Sequence, residues 1–265
     1  MVSEILLPIL LLGAAGLVCG LALAICARYF SVKEDPRVER ILSILPGANC
    51  GGCGFAGCAG YAAAIAAGKA PVGKCTAGAD AAAIAAVMGL RSFEADAAVP
   101  KAAVVLCGGT SAFAKRAFVY DGLVDCGAAN AVAGGDKLCK YGCLGYGSCV
   151  RVCPVNAIEI VDGVARVHRD RCIGCGKCAS VCPRHVIELV PRDCNVHVFC
   201  KSPEAGAQVR KYCSAGCIGC RICTRKAPGA VEVDGFLAHV NYGVPFPACD
   251  AIGECPVKCL RKEQA

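Results

Sequence analysis

Residues 172–183 read CIGCGKCASVCP, and no other stretch constrains the chain as tightly. The spacing C-x2-C-x2-C-x3-C-P suits a tight loop that brings Cys172, Cys175 and Cys178 to three irons of one 4Fe-4S cube. The amides of such a loop are free to hydrogen-bond the sulfides. Cys182 begins the following turn, points away and ligates a second cluster. All-thiolate zinc sites also use C-x2-C pairs. Three successive cysteines followed by Cys-Pro argue against zinc here.

A two-cluster module needs a partner run, and CKYGCLGYGSCVRVCP at 139–154 supplies it. Its cysteines are spaced x3, x5, x3, and position 146, where an ideal run has its middle cysteine, is Tyr146. A fold-back of Cys139 fills that gap. Cys139, Cys143, Cys149 and Cys182 are then expected to hold one 4Fe-4S cluster. Cys153, Cys172, Cys175 and Cys178 are expected to hold the other.

The same crossing rule treats CIGCRICTRKAP at 217–228, where Ala227 stands in place of a fourth cysteine. Cys217, Cys220 and Cys223 need a thiolate from a later Cys-Pro, and Cys255 before Pro256 provides it. Position 227 would have served a second cluster, which would also need cysteines at 245, 248 and 251. Those positions are Pro, Ala and Ala, so this module is expected to hold one cluster. Upstream, CGGCGFAGC with a later Cys75 is a different motif. Cys50, Cys53, Cys58 and Cys75 are expected to close one 4Fe-4S cluster, with glycines allowing close backbone approach. Gly52, Gly54 and Gly57 match G-x-G-x-x-G, but no strand precedes them and cysteines interrupt them. With no Walker A sequence either, the chain is expected to bind neither nicotinamide nor nucleotide.

Internal repetition runs through the later half. PVNAIEIVDGVARV (154–167) and PGAVEVDGFLAHV (228–240) each read as a hairpin with an Asp-Gly turn. CKYGCLGYGSC aligns with CSAGCIGCRIC, matching Cys139 to Cys213, Cys143 to Cys217 and Cys149 to Cys223. VVLC (104–107) likewise resembles VHVFC (196–200). Sixteen of the 25 cysteines are thus placed in four clusters. Cys19, Cys26, Cys107, Cys126, Cys194, Cys200, Cys213, Cys249 and Cys259 remain, and are read as free thiols. A further site on Cys107 and Cys126, or on Cys200 and Cys213, is the alternative.

Cysteine at this density means either a disulfide framework outside the cell or metal centres in a reducing compartment. The amino terminus decides. Ile5–Ala27 is uncharged, mostly apolar and long enough to span a bilayer as a helix. Arg28, Lys33, Arg37 and Arg40 follow it, which places the bulk of the chain in the cytoplasm and the first residues outside. A basic start and a small-residue cleavage site, the marks of a signal peptide, are lacking. No acidic residue lies within the helix, so it anchors rather than carries an ion. The net charge of +7 is spread in single Lys and Arg residues, the pattern of a solvated surface. No nucleic-acid partner is expected.

The expected fold class is α+β: a single transmembrane helix, a four-cysteine iron–sulfur domain and tandem bacterial-ferredoxin-like modules. The expected divisions are an anchor at 1–30, the four-cysteine domain at 31–92, a strand-containing linker with the two-cluster module at 93–190, and a one-cluster module at 191–265. A helix is expected before Pro46, another over 80–90, and a strand over 101–107.

A membrane helix, then DPRVERILSILPGANCGGCGFAGCAGYA, then ferredoxin modules, resembles the B subunit of the Rnf electron-transport complex over nearly the whole chain. The stretch around Cys50, Cys53 and Cys58 is the most specific part. That resemblance implies a subunit of the cytoplasmic (inner) membrane that takes electrons from soluble reduced ferredoxin and relays them to partner subunits. It further implies a complex that reduces NAD and moves sodium or protons. Alternatives are the iron–sulfur subunit of a dehydrogenase or hydrogenase, or of a corrinoid-linked system, which the four-cysteine domain also resembles.

Overall fold

In the computed structural model, which describes residues 2–29, 35–90, 100–247 and 251–263 and side chains from Leu11 onward, an apolar helix α1 (Val2–Tyr29) leads the chain. Its segment Leu11–Tyr29 is long and apolar enough to cross a membrane and is not buried by the rest of the molecule. Lys33, Ala248 and Cys249, which entered the sequence expectations, lie outside the described residues.

The four-cysteine domain forms on α2 (Pro36–Ile44), α3 (Gly57–Ala66) and α4 (Ala81–Val87). Asp35 starts α2 by accepting the Arg37 amide at 2.9 Å, with Pro36 preset for the first helical position. Asp80 starts α4 by accepting the amides of Ala82 and Ala83, each at 3.0 Å. Ile41, Tyr61, Ile65 and Ile84 are fully buried between these helices. Burying each aliphatic side chain contributes roughly 1.5–3 kcal/mol, which is how so short a segment holds together.

The remainder comprises two units of the same plan. In the first, β1 (Lys101–Val105) is followed by α5 (Cys126–Ala131), α6 (Ser148–Arg151), β2 (Ile158–Val161), β3 (Val164–Val167), α7 (Lys177–Val181) and β4 (Ile187–Pro191). β1 pairs antiparallel with β4, Lys101 opposite Pro191 and Val105 opposite Ile187, while β2 and β3 form a hairpin. In the second, β5 (Val196–Val198), α8 (Gly206–Tyr212), α9 (Ile222–Lys226), β6 (Val231–Asp234), β7 (Leu237–Val240) and β8 (Leu260–Lys262) follow. β5 pairs antiparallel with β8, and β6 with β7. Thus each unit joins its first and last strands and packs a hairpin against them. Each buries its own apolar core.

The two hairpins turn differently. Val161 faces Val164, so Asp162 and Gly163 form the loop, both with positive φ, as a type I′ turn requires. In the second, Asp234 faces Leu237, so Asp234 ends the strand and the loop is Gly235-Phe236, with only the glycine at positive φ. That corrects the Asp-Gly turn expected there by one residue. Phe236 explains the shift: a bulky side chain does not tolerate positive φ, so glycine takes the first loop position.

Candidate metal centres

The three later runs of closely spaced cysteines each end in a short helix, and the residue before that helix takes the left-handed conformation. Gly147, Gly176 and Arg221 do so ahead of α6, α7 and α9. The residue two after each Cys-Pro pair, Asn156, His185 and Lys258, is also left-handed. This folds the chain back after Cys153, Cys182 and Cys255. Residue 157 then donates its amide to the Cys153 sulfur at 3.3 Å, and residue 259 donates to Cys255 at 3.3 Å. Amides aimed at cysteine sulfur are what a cluster-bearing thiolate needs.

In the four-cysteine domain, Cys50, Cys53, Cys58 and Cys75 line one cavity. The Asn49 side-chain oxygen accepts the Cys58 amide at 2.8 Å, fixing the loop to α3. The Tyr61 hydroxyl donates to the Pro71 carbonyl at 2.8 Å and accepts the Lys74 amide at 2.9 Å. This clamp delivers Cys75 from its distant position in the chain.

Cys153, Cys172, Cys175 and Cys178 come together as well: the Cys178 thiol lies in the field of the other three. The Ala103 amide on β1 donates to the Cys172 sulfur at 3.4 Å. Burial pushes the Cys178 thiol up to about 12. Metal coordination, by displacing the proton, is the route to a thiolate in such a place.

The partner site differs from the sequence expectation. Cys143, Cys149 and Cys182 line a cavity whose fourth cysteine is Cys126, not Cys139. Cys126 opens α5, and its amide donates to the Ser148 hydroxyl at 2.7 Å. That hydroxyl donates to Asp125 at 2.7 Å, and Arg151 pairs with the same carboxylate at 2.5 Å. α5 is thereby tied to α6, which carries Cys149. The Ser148 hydrogen bond foremost, then amides and Arg151, holds the Asp125 carboxyl below the usual carboxylate range. Where Tyr146 leaves a gap in the run, the cavity thus has Cys126 from the start of α5. Burial pushes Cys143 and Cys149 each up to about 12.

Cys139 instead lines a separate cavity with Cys107, Cys200 and Cys213. Of the pairs weighed from sequence, Cys200 with Cys213 falls within this grouping, whereas Cys107 with Cys126 does not, because Cys126 lines the other cavity.

Cys217, Cys220, Cys223 and Cys255 line a cavity together with Cys259. Cys259 stands beside both Cys217 and Cys200, and sharing its thiol proton with them foremost lowers Cys217 to about 6 and Cys200 to about 7. Ala227 is fully buried in the apolar core of this unit, beside Ala230, Val231 and Ala251. Hydrocarbon occupies the place where a second cluster of that module would need thiols.

Among the described residues, no three His, Cys, Asp or Glu side chains sit close enough to share one metal ion. Four thiols around a cavity, amide donors to sulfur and apolar walls fit a 4Fe-4S cluster instead.

The "FeS" family model, for an Fe-S cluster, matches residues 45–77, and the "4Fe-4S dicluster domain" model matches residues 138–186. The B subunit of the Na(+)-translocating ferredoxin:NAD(+) oxidoreductase complex of Acetobacterium woodii is 41% identical over 98% of this chain and 78% of its own. The chain belongs to the B-subunit family of Rnf ion-translocating oxidoreductase complexes. The B subunit of the ion-translocating oxidoreductase complex of Methanosarcina acetivorans is 37% identical over 99% of this chain and 98% of its own. Its counterpart from Clostridium ljungdahlii, named as proton-translocating, is 37% identical over 98% and 93%. As a member of this family the chain is a membrane-anchored iron–sulfur protein with several 4Fe-4S clusters, serving electron transfer within a multi-subunit complex.

Proposed function

We propose that this chain accepts electrons from reduced soluble ferredoxin and relays them to partner subunits that reduce NAD and move an ion. Its cluster domains face the cytoplasm in this reading, because Arg28, Arg37 and Arg40 follow the apolar helix. The proposed ligand sets are Cys50, Cys53, Cys58 and Cys75; Cys126, Cys143, Cys149 and Cys182; Cys153, Cys172, Cys175 and Cys178; and Cys217, Cys220, Cys223 and Cys255. A 4Fe-4S cluster exchanges one electron at a time with little rearrangement. The chain's own part is to space these sites, exclude water from them and supply amide donors to the sulfurs.

The observation that carries the relay is the abutment of the first site on the two-cluster module. Cys50 and Cys175, from ligand sets far apart in sequence, lie in one another's field. A side-chain carbon on Gly52 would stand 3.1 Å from the Cys175 carbonyl oxygen. Only glycine lets the two loops meet so closely. The Acetobacterium and Clostridium relatives carry ferredoxin:NAD(+) oxidoreductase in their names, which supports the choice of donor.

The test is anaerobic mixing of the detergent-solubilised full chain with reduced ferredoxin, following cluster absorbance. Bleaching at a rate proportional to ferredoxin concentration is expected. Reduction by small reductants but not by ferredoxin would reject ferredoxin as the donor. Protease accessibility in inside-out and right-side-out membrane vesicles tests the orientation.

A further inference from the structure

The cavity that holds Cys139 is used by none of the four sets above. It brings in Cys107 from the end of β1, Cys139, Cys200 from the end of β5, and Cys213 from the end of α8. A side-chain carbon on Gly142 would lie 3.4 Å from both the Cys107 and Cys139 sulfurs. One on Gly109 would lie 3.6 Å from both the Cys107 and Cys213 sulfurs, and one on Gly216 would lie 3.7 Å from that of Cys200. The four sulfurs therefore surround one space kept open by glycine.

The internal repeat gives an independent reason for this grouping. Cys107 is equivalent to Cys200 and Cys139 to Cys213, so the cavity takes the same two positions from each copy. Even its amide donors match. The Cys143 amide donates to the Cys107 sulfur at 3.3 Å, and the amide of its equivalent, Cys217, bonds to Cys200. Ser202 adds a second amide to Cys200 at 3.5 Å.

Charge agrees with the geometry. Lys137 lines the cavity and is 3% exposed, and its ammonium is held by the carbonyls of Gly109 and Gly163 at 3.0 and 2.9 Å. Among the described residues it has no carboxylate partner. A buried cation calls for a nearby anion, and a four-thiolate cluster carries net negative charge.

We propose that Cys107, Cys139, Cys200 and Cys213 bind a fifth 4Fe-4S cluster, built across the two repeated units with two ligands from each. This rests on the reading of the chain as a cluster-bearing electron carrier. Because Cys143 and Cys217 belong to the flanking sets yet place their amides on this one, the centre stands between them and links the two units.

The test uses the full chain purified anaerobically in detergent. Native mass spectrometry, iron and sulfide analysis and an EPR redox titration are compared with those of the double variant Cys139→Ser/Cys213→Ser. The variant is expected to lose about four irons and four sulfides and one EPR component, with the other components unmoved. Unchanged iron and EPR in the variant would overturn the proposal, as would its loss being matched by zinc. Wild-type protein without iron would instead overturn the underlying reading. Should no variant fold, the wild-type mass decides: an increment of five clusters supports the site, and four or fewer overturns it.

Discussion

Gly52 stands against the backbone of Cys175: a carbon attached to it would lie 3.1 Å from the Cys175 carbonyl oxygen and 3.2 Å from its Cα. Backbone cannot step aside as a side chain can. Gly52→Ala should therefore push the four-cysteine domain off the two-cluster module, with the Thr76 hydroxyl, which would lie 2.6 Å from the added carbon, rotating aside. Iron content should stay at the wild-type level, and freeze-quench EPR should show electron exchange between the two slowed several-fold. Unchanged exchange would mean that the contact does not serve transfer.

Cys126 is expected to be required where sequence spacing pointed to Cys139. Cys126→Ala should remove about four irons together with one partner of the coupled two-cluster EPR signal. Ser148→Ala, which leaves the Cys126 amide without its acceptor and removes one of several donors to Asp125, should cost about 1–3 kcal/mol. It should also loosen the same site, measured as faster loss of its iron to a chelator.

These two cysteines show where sequence reading stops. Cys172, Cys175, Cys178 and Cys50, Cys53, Cys58 lie within single loops, so local spacing reveals which sulfurs converge. α2, α4, β1 and the first hairpin were legible for the same reason, through Pro46, the Ala-rich run after Asp80, the β-branched residues of 101–107 and Asp162-Gly163. Cys126 and the Cys107–Cys200 pairing depend on long-range packing, which spacing does not encode. The repeat alignment already matched Cys107 to Cys200 and Cys139 to Cys213. What it lacked was the knowledge that equivalent positions of the two copies face one another.

Ala227→Cys should add no iron. The position is fully buried in an apolar core, and Pro245 and Ala251 stand where a second cluster of that module would need thiols. The small added volume should cost at most about 1–3 kcal/mol, by overpacking. Iron analysis and thermal unfolding of the variant check both parts. Four additional irons would show that the site is latent rather than filled.

Lys137→Gln should lower the midpoint potential of the centre beside it, by roughly tens of millivolts, because a buried positive charge favours the more negative, reduced state. Iron content should be unchanged. A potential that stays in place in the EPR titration would indicate that Lys137 serves only the carbonyls of Gly109 and Gly163.

Glu263 follows β8 and meets Arg169 at 2.8 Å, with His197 beside it. Burial raises its carboxyl, but hydrogen bonds from His197 and Arg169 outweigh that and hold it below the ordinary value. A lowered folded pKa gives stability that is present above the unfolded value and lost as pH falls through the folded one. Glu263→Gln should thus destabilise the β5–β8 pair by about 1–3 kcal/mol at neutral pH. Hydrogen exchange at Leu260 should quicken accordingly, and the gap from wild type should close in acid.

The continuity of the row of sites is tested most directly by counting electrons. The anaerobic full chain is titrated with reduced ferredoxin alone, and reduced clusters are quantified by EPR and absorbance. With five linked centres, about five electrons per chain should be taken up, equal to the number taken from a small-molecule reductant at the same potential. If ferredoxin fills only the clusters of one unit while the small reductant fills them all, the row is broken and the chain is not a single relay.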